Sequence, residues 1–454
     1  MPSLSAFKAY DIRGRIPDEL NDTLAYQVGQ AYAGFVRPKT VAVGRDIRGS
    51  SVALQAAVMR ALTDCGVDVA DIGLTGTEGV YFATFHGGYD GGIMVTASHN
   101  PPDYNGMKLV REGSRPISAD TGLAEMRRAI ETGTLPPRAA VSGTVRAVDT
   151  SGAYLDHLLS YVRGAKLRPL KIVVNAGNGG AGLIIDALEP HLPFEFIKLN
   201  HQPDGSFPNG VPNPMLEQNR SSTIEAIRRS GADLGLAWDG DYDRCFFFDE
   251  HGGFIEGYYL VGLLAEAFLK HEPGGRIVHD PRLIWNTIDI VRSHGGEPVL
   301  CKSGHAFIKQ KMREVDAVYG GEMSAHHYFR NFAYCDSGMI PWLLVLAVIS
   351  GSGKSLSQLV GARQRLFPAS GEINREISAR LGDARAVIAR VQAHYQAHAR
   401  SVDFTDGLSM EFDHWRFNLR GSNTEPLVRL NVESRADTAL MRDKTAEVLG
   451  LLDA

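Results

Sequence analysis

Two stretches of this 454-residue chain gather residue types suited to chemistry. Thr96-Ala97-Ser98-His99-Asn100-Pro101-Pro102 follows the apolar run Gly92-Ile93-Met94-Val95, so it reads as a buried strand that ends by presenting the Ser98 hydroxyl. A serine hydroxyl is a weak nucleophile until a neighbour activates it, which makes His99 and the more distant Lys108 candidates for that task. The same residues also make an ordinary turn closed by two prolines. In the second stretch, Asp239-Gly240-Asp241-Tyr242-Asp243-Arg244, three carboxylates at alternate positions suit a hard divalent cation. Glu250 falls where the bidentate glutamate of a calcium EF-hand would. Against that loop, Arg244 stands at its obligatory glycine and Cys245-Phe246-Phe247-Phe248 reads as a strand. A magnesium site with positions open to a phosphate oxygen is the better reading, and a solvated acidic turn the blander one.

Other groups are weaker alone. Arg420-Gly421-Ser422-Asn423-Thr424 offers a guanidinium, two hydroxyls and an amide, with Arg429 in the next strand, and suits a phosphate as well as it suits a capped turn. Glu322 and Ser324 sit at a strand end, where they could bond a sugar's hydroxyls or where Ser324 could cap a helix. Gly177-Asn178-Gly179-Gly180-Ala181-Gly182 satisfies the dinucleotide pattern, but the nearest downstream acid, Glu195, falls inside a strand and not at its end. Gly353-Lys354-Ser355 resembles a P-loop tail without its first glycine. His326 and His327 are adjacent on a strand and point to opposite faces, which argues against a shared metal.

The elements that must position these groups alternate. Helical patterns at Leu24 to Phe35, Ser51 to Cys65 and Gly79 to His86 separate the strands Val41 to Gly44, Val67 to Ile72 and Gly92 to Val95, as in an open α/β sheet. The pattern restarts with the strands Lys171 to Asn175 and Ala232 to Trp238, and again with Arg276 to His279, Pro298 to Cys301 and Val318 to Gly321. From about Ala369 the chain changes to α+β. The expected fold is therefore three tandem similar α/β domains with mixed or parallel sheets plus a C-terminal α+β domain, divided at residues 1–146, 147–254, 255–368 and 369–454. Ligands of such sheets bind at the carboxyl ends of strands, and Ser98, Asp239, His305 and Glu322 stand at those ends, so one common cleft is expected.

Composition narrows the class. Hydrophobic residues at 44% and charged residues at 22% fit a soluble globular protein, and a net charge of −5 with interspersed signs gives no nucleic-acid footprint. Cys65, Cys245, Cys301 and Cys335 are far apart and form no Cys-x-x-Cys pair, which fits a reducing compartment. Met1 to Lys8 lacks a signal peptide's apolar core, and the most apolar window, Met339 to Ile349, is too short to span a bilayer. A cytoplasmic location without membrane attachment is expected.

Taken together, Thr96–Pro101, Asp239–Arg244, Gly321–His326 and Arg420–Thr424 resemble, in order, four signature loops of the α-D-phosphohexomutase superfamily, within it the bacterial phosphomannomutase/phosphoglucomutase branch. The resemblance implies a heart-shaped molecule around a central cleft and a phosphoserine at Ser98. It implies one magnesium ion per chain, held by Asp239, Asp241, Asp243 and an oxygen of that phosphate. Hexose 1-phosphate and 6-phosphate of mannose or glucose would interconvert through a hexose 1,6-bisphosphate. By the same resemblance Arg13, His99 and Lys108 surround the phosphoserine and serve proton transfer, while Arg244 supports the metal loop. Tyr10, His305, Glu322, Ser324 and His326 contact the sugar; Arg420, Ser422, Asn423, Thr424 and Arg429 hold the non-reacting phosphate. Two positions depart from the commonest pattern: Tyr242 replaces a glycine and is not expected to touch the metal, and Arg282 stands where relatives often have a substrate lysine. The partner implied is a small phosphosugar, with a monomer or weak dimer expected. A phosphoglucosamine mutase and a metal-dependent sugar-phosphate phosphatase are the rival activities.

Overall fold

A computed structural model describes residues 4–377, 383–421 and 427–453. The chain forms two compact units, Met1–Phe254 with His326–Gly353, and Ile255–Ala325 with Lys354–Ala454. Three α/β sheets and one antiparallel C-terminal sheet appear, as the alternating pattern predicts.

In the first unit, the strands Thr40–Arg45, Asp68–Leu74 and Gly91–Val95 run parallel. Helices Asp22–Val36 and Ser51–Asp64 pack together, burying Leu24, Val28, Tyr32, Leu54 and Val58 in one core with Val41 and Val43. Asn21 caps the first helix by accepting from the Leu24 N–H at 3.0 Å. The sheet is mixed: Tyr104–Arg111, not among the strands expected from sequence, is a strand antiparallel to Gly91–Val95 and to Ile12–Arg15. That pairing sets Lys108 opposite Met94, beside the strand that delivers Ser98. In the unit's other sheet, Leu234–Trp238 is parallel to Lys171–Asn175 and antiparallel to Cys245–Phe248.

The segment His326–Gly353 is folded into this unit. It forms a hairpin, His327–Phe329 with Cys335–Asp336, and the helix Ile340–Ser352, whose Trp342, Leu343, Val345 and Leu346 are fully buried. Trp238 Nε1 donates to the Gly338 carbonyl at 2.9 Å, and the Gly338 N–H donates to Glu78 at 2.6 Å. The Tyr154 hydroxyl also donates to Glu78, on helix Thr77–His86.

In the second unit, Glu297–Leu300, Arg276–His279 and Tyr319–Gly321 form a parallel trio. The strands Ile373–Glu376, Leu427–Ser434, Trp415–Gly421, Leu408–Glu411 and Ser401–Asp403 form the antiparallel sheet. Helix Ala384–Tyr395 covers it through Val387, Val391 and Tyr395, against Leu408, Phe417 and Val432.

Glu78 is fully buried, and burial pushes its carboxyl up to about 8 from 4.5 despite hydrogen bonds that favour the anion. The folded protein thus holds this proton up to about pH 8 while the unfolded chain releases it above 4.5. Between those values the group withdraws stability as pH rises, by at most about 1.4 kcal/mol per pH unit. Glu78→Gln keeps an acceptor for Gly338 and a donor for Tyr154. Thermal denaturation should show the variant gaining on the parent from about pH 5 to about pH 8; a difference independent of pH would contradict this.

Candidate active site

The carboxyl ends of the three parallel strands of the first sheet meet that of Leu234–Trp238. Gly91–Val95 leads to Ser98, Asp68–Leu74 to Thr75–Thr77, Thr40–Arg45 to Asp46 and Arg48, and Leu234–Trp238 to Asp239. The two loops approach so closely that a Cβ on Gly240 would stand 2.5 Å from the Ser98 carbonyl oxygen. Only glycine fits there. Ser98 itself holds a left-handed φ of 48°, unusual for a residue with a side chain.

Arg48 holds that conformation in place. Its buried guanidinium donates to the carbonyls of Ser98 (2.9 Å), Asn100 (2.6 Å), Pro101 (2.6 Å) and Tyr104 (2.9 Å), with Asp46 3.3 Å from Nε. Arg13 donates to Asn100 Oδ1 at 2.7 Å and pairs with Asp11. Tyr10 is half-buried near the start of the unit.

Ser98 Oγ lies 2.8 Å from Asp239 Oδ2 and 3.0 Å from His99 Nδ1. Arg244 donates to His99 Nδ1, which occupies that nitrogen's lone pair, so the serine proton goes to Asp239. Arg244 also donates through Nε to Asp239 Oδ2 at 2.9 Å. Asp239, Asp241 and Asp243 are buried, with one ligating oxygen from each within 4.8 Å of the others. Lys108 Nζ bridges Asp243 and Asp241, the latter at 2.8 Å, and reaches Thr77 Oγ1 at 3.1 Å. Burial opposes charge on Lys108, but the two carboxylates outweigh it and hold the ammonium. Burial likewise works against ionised Asp241, yet Lys108 keeps it below the ordinary range. Asp243 goes the other way, pushed up to about 7 by burial and by the Asp241 charge.

The donor set fits a hard cation. Asp241 Oδ1 and Asp243 Oδ1 are buried without a hydrogen-bond partner, and oxygen-only ligands match magnesium. His326 Nδ1 lies 2.9 Å from Asp336 Oδ2, and both side chains group with Asp243.

The second unit carries another constellation. Arg282, 2% exposed, donates through Nε and Nη2 to Asp280 (3.0 and 2.9 Å), and through Nη2 to Glu322 (3.3 Å) and Ser324 (3.1 Å). The Gly304 N–H, at the start of helix His305–Val315, donates to Glu322 at 3.0 Å, which brings half-buried His305 beside it. Ser324 caps no helix, since the strand His327–Phe329 follows. Glu372 accepts from Arg420 at 2.8 Å and lies 3.5 Å from Arg282 and 3.7 Å from Arg429. Ser422, Asn423 and Thr424 lie outside the described residues.

Sequence reasoning missed Arg48, Thr77, Asp280, Asp336 and Glu372. Asp46-Ile47-Arg48 directly follows a predicted parallel strand, which could have flagged Arg48, and Asp280 stands two residues from Arg282, its main partner; Thr77, Asp336 and Glu372 are defined by more distant partners. Arg48→Ala should cost about 3 kcal/mol, because it strands Asp46 as a buried charge and uncouples the Ser98 turn. Urea denaturation checks this, and a loss below about 1 kcal/mol would contradict it.

Four family domains match along the chain. They are described as Phosphoglucomutase/phosphomannomutase alpha/beta/alpha domain I (residues 4–135), domain II (152–253) and domain III (256–367), and the C-terminal domain (373–450). A phosphomannomutase of Salmonella montevideo is 59% identical over 460 residues, covering 100% of both chains. Phosphohexose mutases of Xanthomonas campestris pv. campestris (strain B100) are 60% identical over 454 residues, covering 99% of each. Among solved structures, a phosphoglucomutase/phosphomannomutase family protein from Burkholderia thailandensis superposes with a TM-score of 0.88 at 33% identity, covering 100% of this chain and 98% of that one. The fold is shared by a putative phosphomannomutase from Thermus thermophilus, with a TM-score of 0.82 at 22% identity and full coverage of both chains.

Proposed function

The chain belongs to the phosphoglucomutase/phosphomannomutase family and is a phosphohexomutase, and on that premise we propose that it works through a phosphoryl group carried on Ser98. The observation that supports this most is the setting of Ser98 Oγ, 2.8 Å from Asp239 at the edge of the buried carboxylate cluster.

In this reading, phosphoserine 98 transfers its phosphoryl to the free hydroxyl of a hexose monophosphate. The Ser98 Oγ–P bond breaks, a sugar O–P bond forms, and the product is a hexose 1,6-bisphosphate. We assign the hydroxyl proton to His326, expected from sequence to contact the sugar, in place of Arg13, His99 and Lys108, because Asp336 holds its imidazole at 2.9 Å. The bisphosphate then presents its other phosphate to Ser98, and the monophosphate released is the isomer of the one that entered. Asp239, Asp241 and Asp243 would hold one magnesium ion, which when bound neutralises charge on the transferring group. Lys108, Arg13 and Arg244 surround the serine and offset negative charge there, while burial and the neighbouring Arg244 keep His99 neutral beside Ser98 Oγ. For the sugar we assign Tyr10, His305, Glu322 and Ser324, the last two oriented by Arg282. For the non-reacting phosphate we assign Arg420 and Arg429 together with Ser422, Asn423 and Thr424. We retain the division at residues 1–146, 147–254, 255–368 and 369–454, and mannose and glucose phosphates as substrates, in the cytoplasm, for a monomer or weak dimer. Among the described residues no single helix is long and apolar enough to cross a membrane.

A coupled assay of mannose 1-phosphate and glucose 1-phosphate, with magnesium and trace bisphosphate, tests the mechanism. Ser98→Ala should lose at least about a thousandfold in turnover. An alanine variant as active as its parent would overturn the reading. Inorganic phosphate released without 6-phosphate would indicate a phosphatase.

A further inference from the structure

Tyr242 sits between two of the clustered aspartates with φ of 47°, a conformation that costs a tyrosine and would be free for glycine. Its side chain is only 1% exposed, and its hydroxyl meets Gly76 and Thr75. The ring lies between two glycines: a Cβ on Gly76 would come within 2.3 Å of it, and one on Gly180 within 2.8 Å. This gives the glycine-rich turn at Gly177–Gly182 a role, since the Gly180 N–H also donates to the Gly240 carbonyl at 3.2 Å. The Tyr242 hydroxyl accepts the Gly76 N–H at 2.7 Å and lies 3.2 Å from Thr75 Oγ1. One residue on, the Thr77 N–H donates to the Asp241 carbonyl at 3.2 Å, and the Thr77 hydroxyl to the Asp241 carboxylate.

The metal loop is thus fastened to the turn Thr75–Thr77 at two successive points, one of them a phenol that no ligand role requires. We propose that Tyr242 is a positioning residue for the divalent cation, its hydroxyl anchoring the loop so that Asp239, Asp241 and Asp243 keep ligating separation. A filler of the same pocket would need only the ring. The anchor needs the oxygen, since without it only the Thr77 bonds to Asp241 tie the loop to that turn.

This inference rests on the carboxylate cluster being the cation site, and the test separates the two. Manganese(II) binding to the full chain is followed by the paramagnetic resonance of the free ion, comparing parent, Tyr242→Phe, Tyr242→Gly and Asp239→Asn. Tyr242→Phe keeps the ring and should weaken manganese binding about threefold to tenfold, the range for losing one buried hydrogen bond. In the mutase assay it should raise the magnesium concentration for half-maximal rate by a similar factor, while kcat at saturating magnesium stays within about twofold. Tyr242→Gly removes the backbone cost along with the anchor, and it too should bind more weakly. Parent-like manganese affinity in Tyr242→Phe, or in Tyr242→Gly should the first variant not fold, overturns the proposal while leaving the site intact. Equal binding by the parent and Asp239→Asn would instead remove the cation site, and the inference with it.

Discussion

Three carboxylates buried within 4.8 Å of one another cannot stay charged unless cations come to them, and the first unit is built around that demand. Lys108 and Arg244 meet part of it, Lys108 between Asp241 and Asp243, Arg244 across Asp239 to His99. Three acids against two bases leave an excess of negative charge, and burial together with the Asp241 charge pushes Asp243 up to about 7. A divalent ion held by the three carboxylates would offset the imbalance, and Ser98 stands at the edge of the cluster with its hydroxyl donating to Asp239.

The groups that satisfy this constraint come from separate parts of the chain. Lys108 is carried by a strand antiparallel to the one ending at Ser98, and Thr77 opens the helix after a third strand. Arg48 supplies the rigidity, tying four carbonyls of the serine turn to one guanidinium. The segment His326–Gly353 returns to the same unit and brings His326 with Asp336. In the second unit a similar economy operates with inverted sign, as Glu372 gathers Arg282, Arg420 and Arg429.

Much of this was legible in the chain itself because parallel strands deliver polar residues at their carboxyl ends, and the loops there are short and distinctive. Ser98 and the alternating aspartates announce themselves by spacing. Lys108 was legible as a residue but not as part of a strand, because the polar Asp103-Tyr104-Asn105-Gly106 precedes it and the pairing that makes the strand is tertiary. Glu78 gave no signal, since its partners Tyr154 and Gly338 lie far away in sequence, and Arg48 gave only its place just after a parallel strand. Arg282 stands where relatives often have a substrate lysine, and its guanidinium donates to Asp280, Glu322 and Ser324. Gly353 and Ser355, which resemble a phosphate loop, are helix punctuation: Gly353 ends one helix and Ser355 caps another.

The most direct measurement of the central claim is phosphopeptide mapping of the purified chain after incubation with a hexose 1,6-bisphosphate and magnesium. The account predicts a single phosphoryl group, on Ser98, that is lost when hexose monophosphate is added in excess. Phosphate on another residue, or none on a chain that still interconverts the two monophosphates, would contradict it.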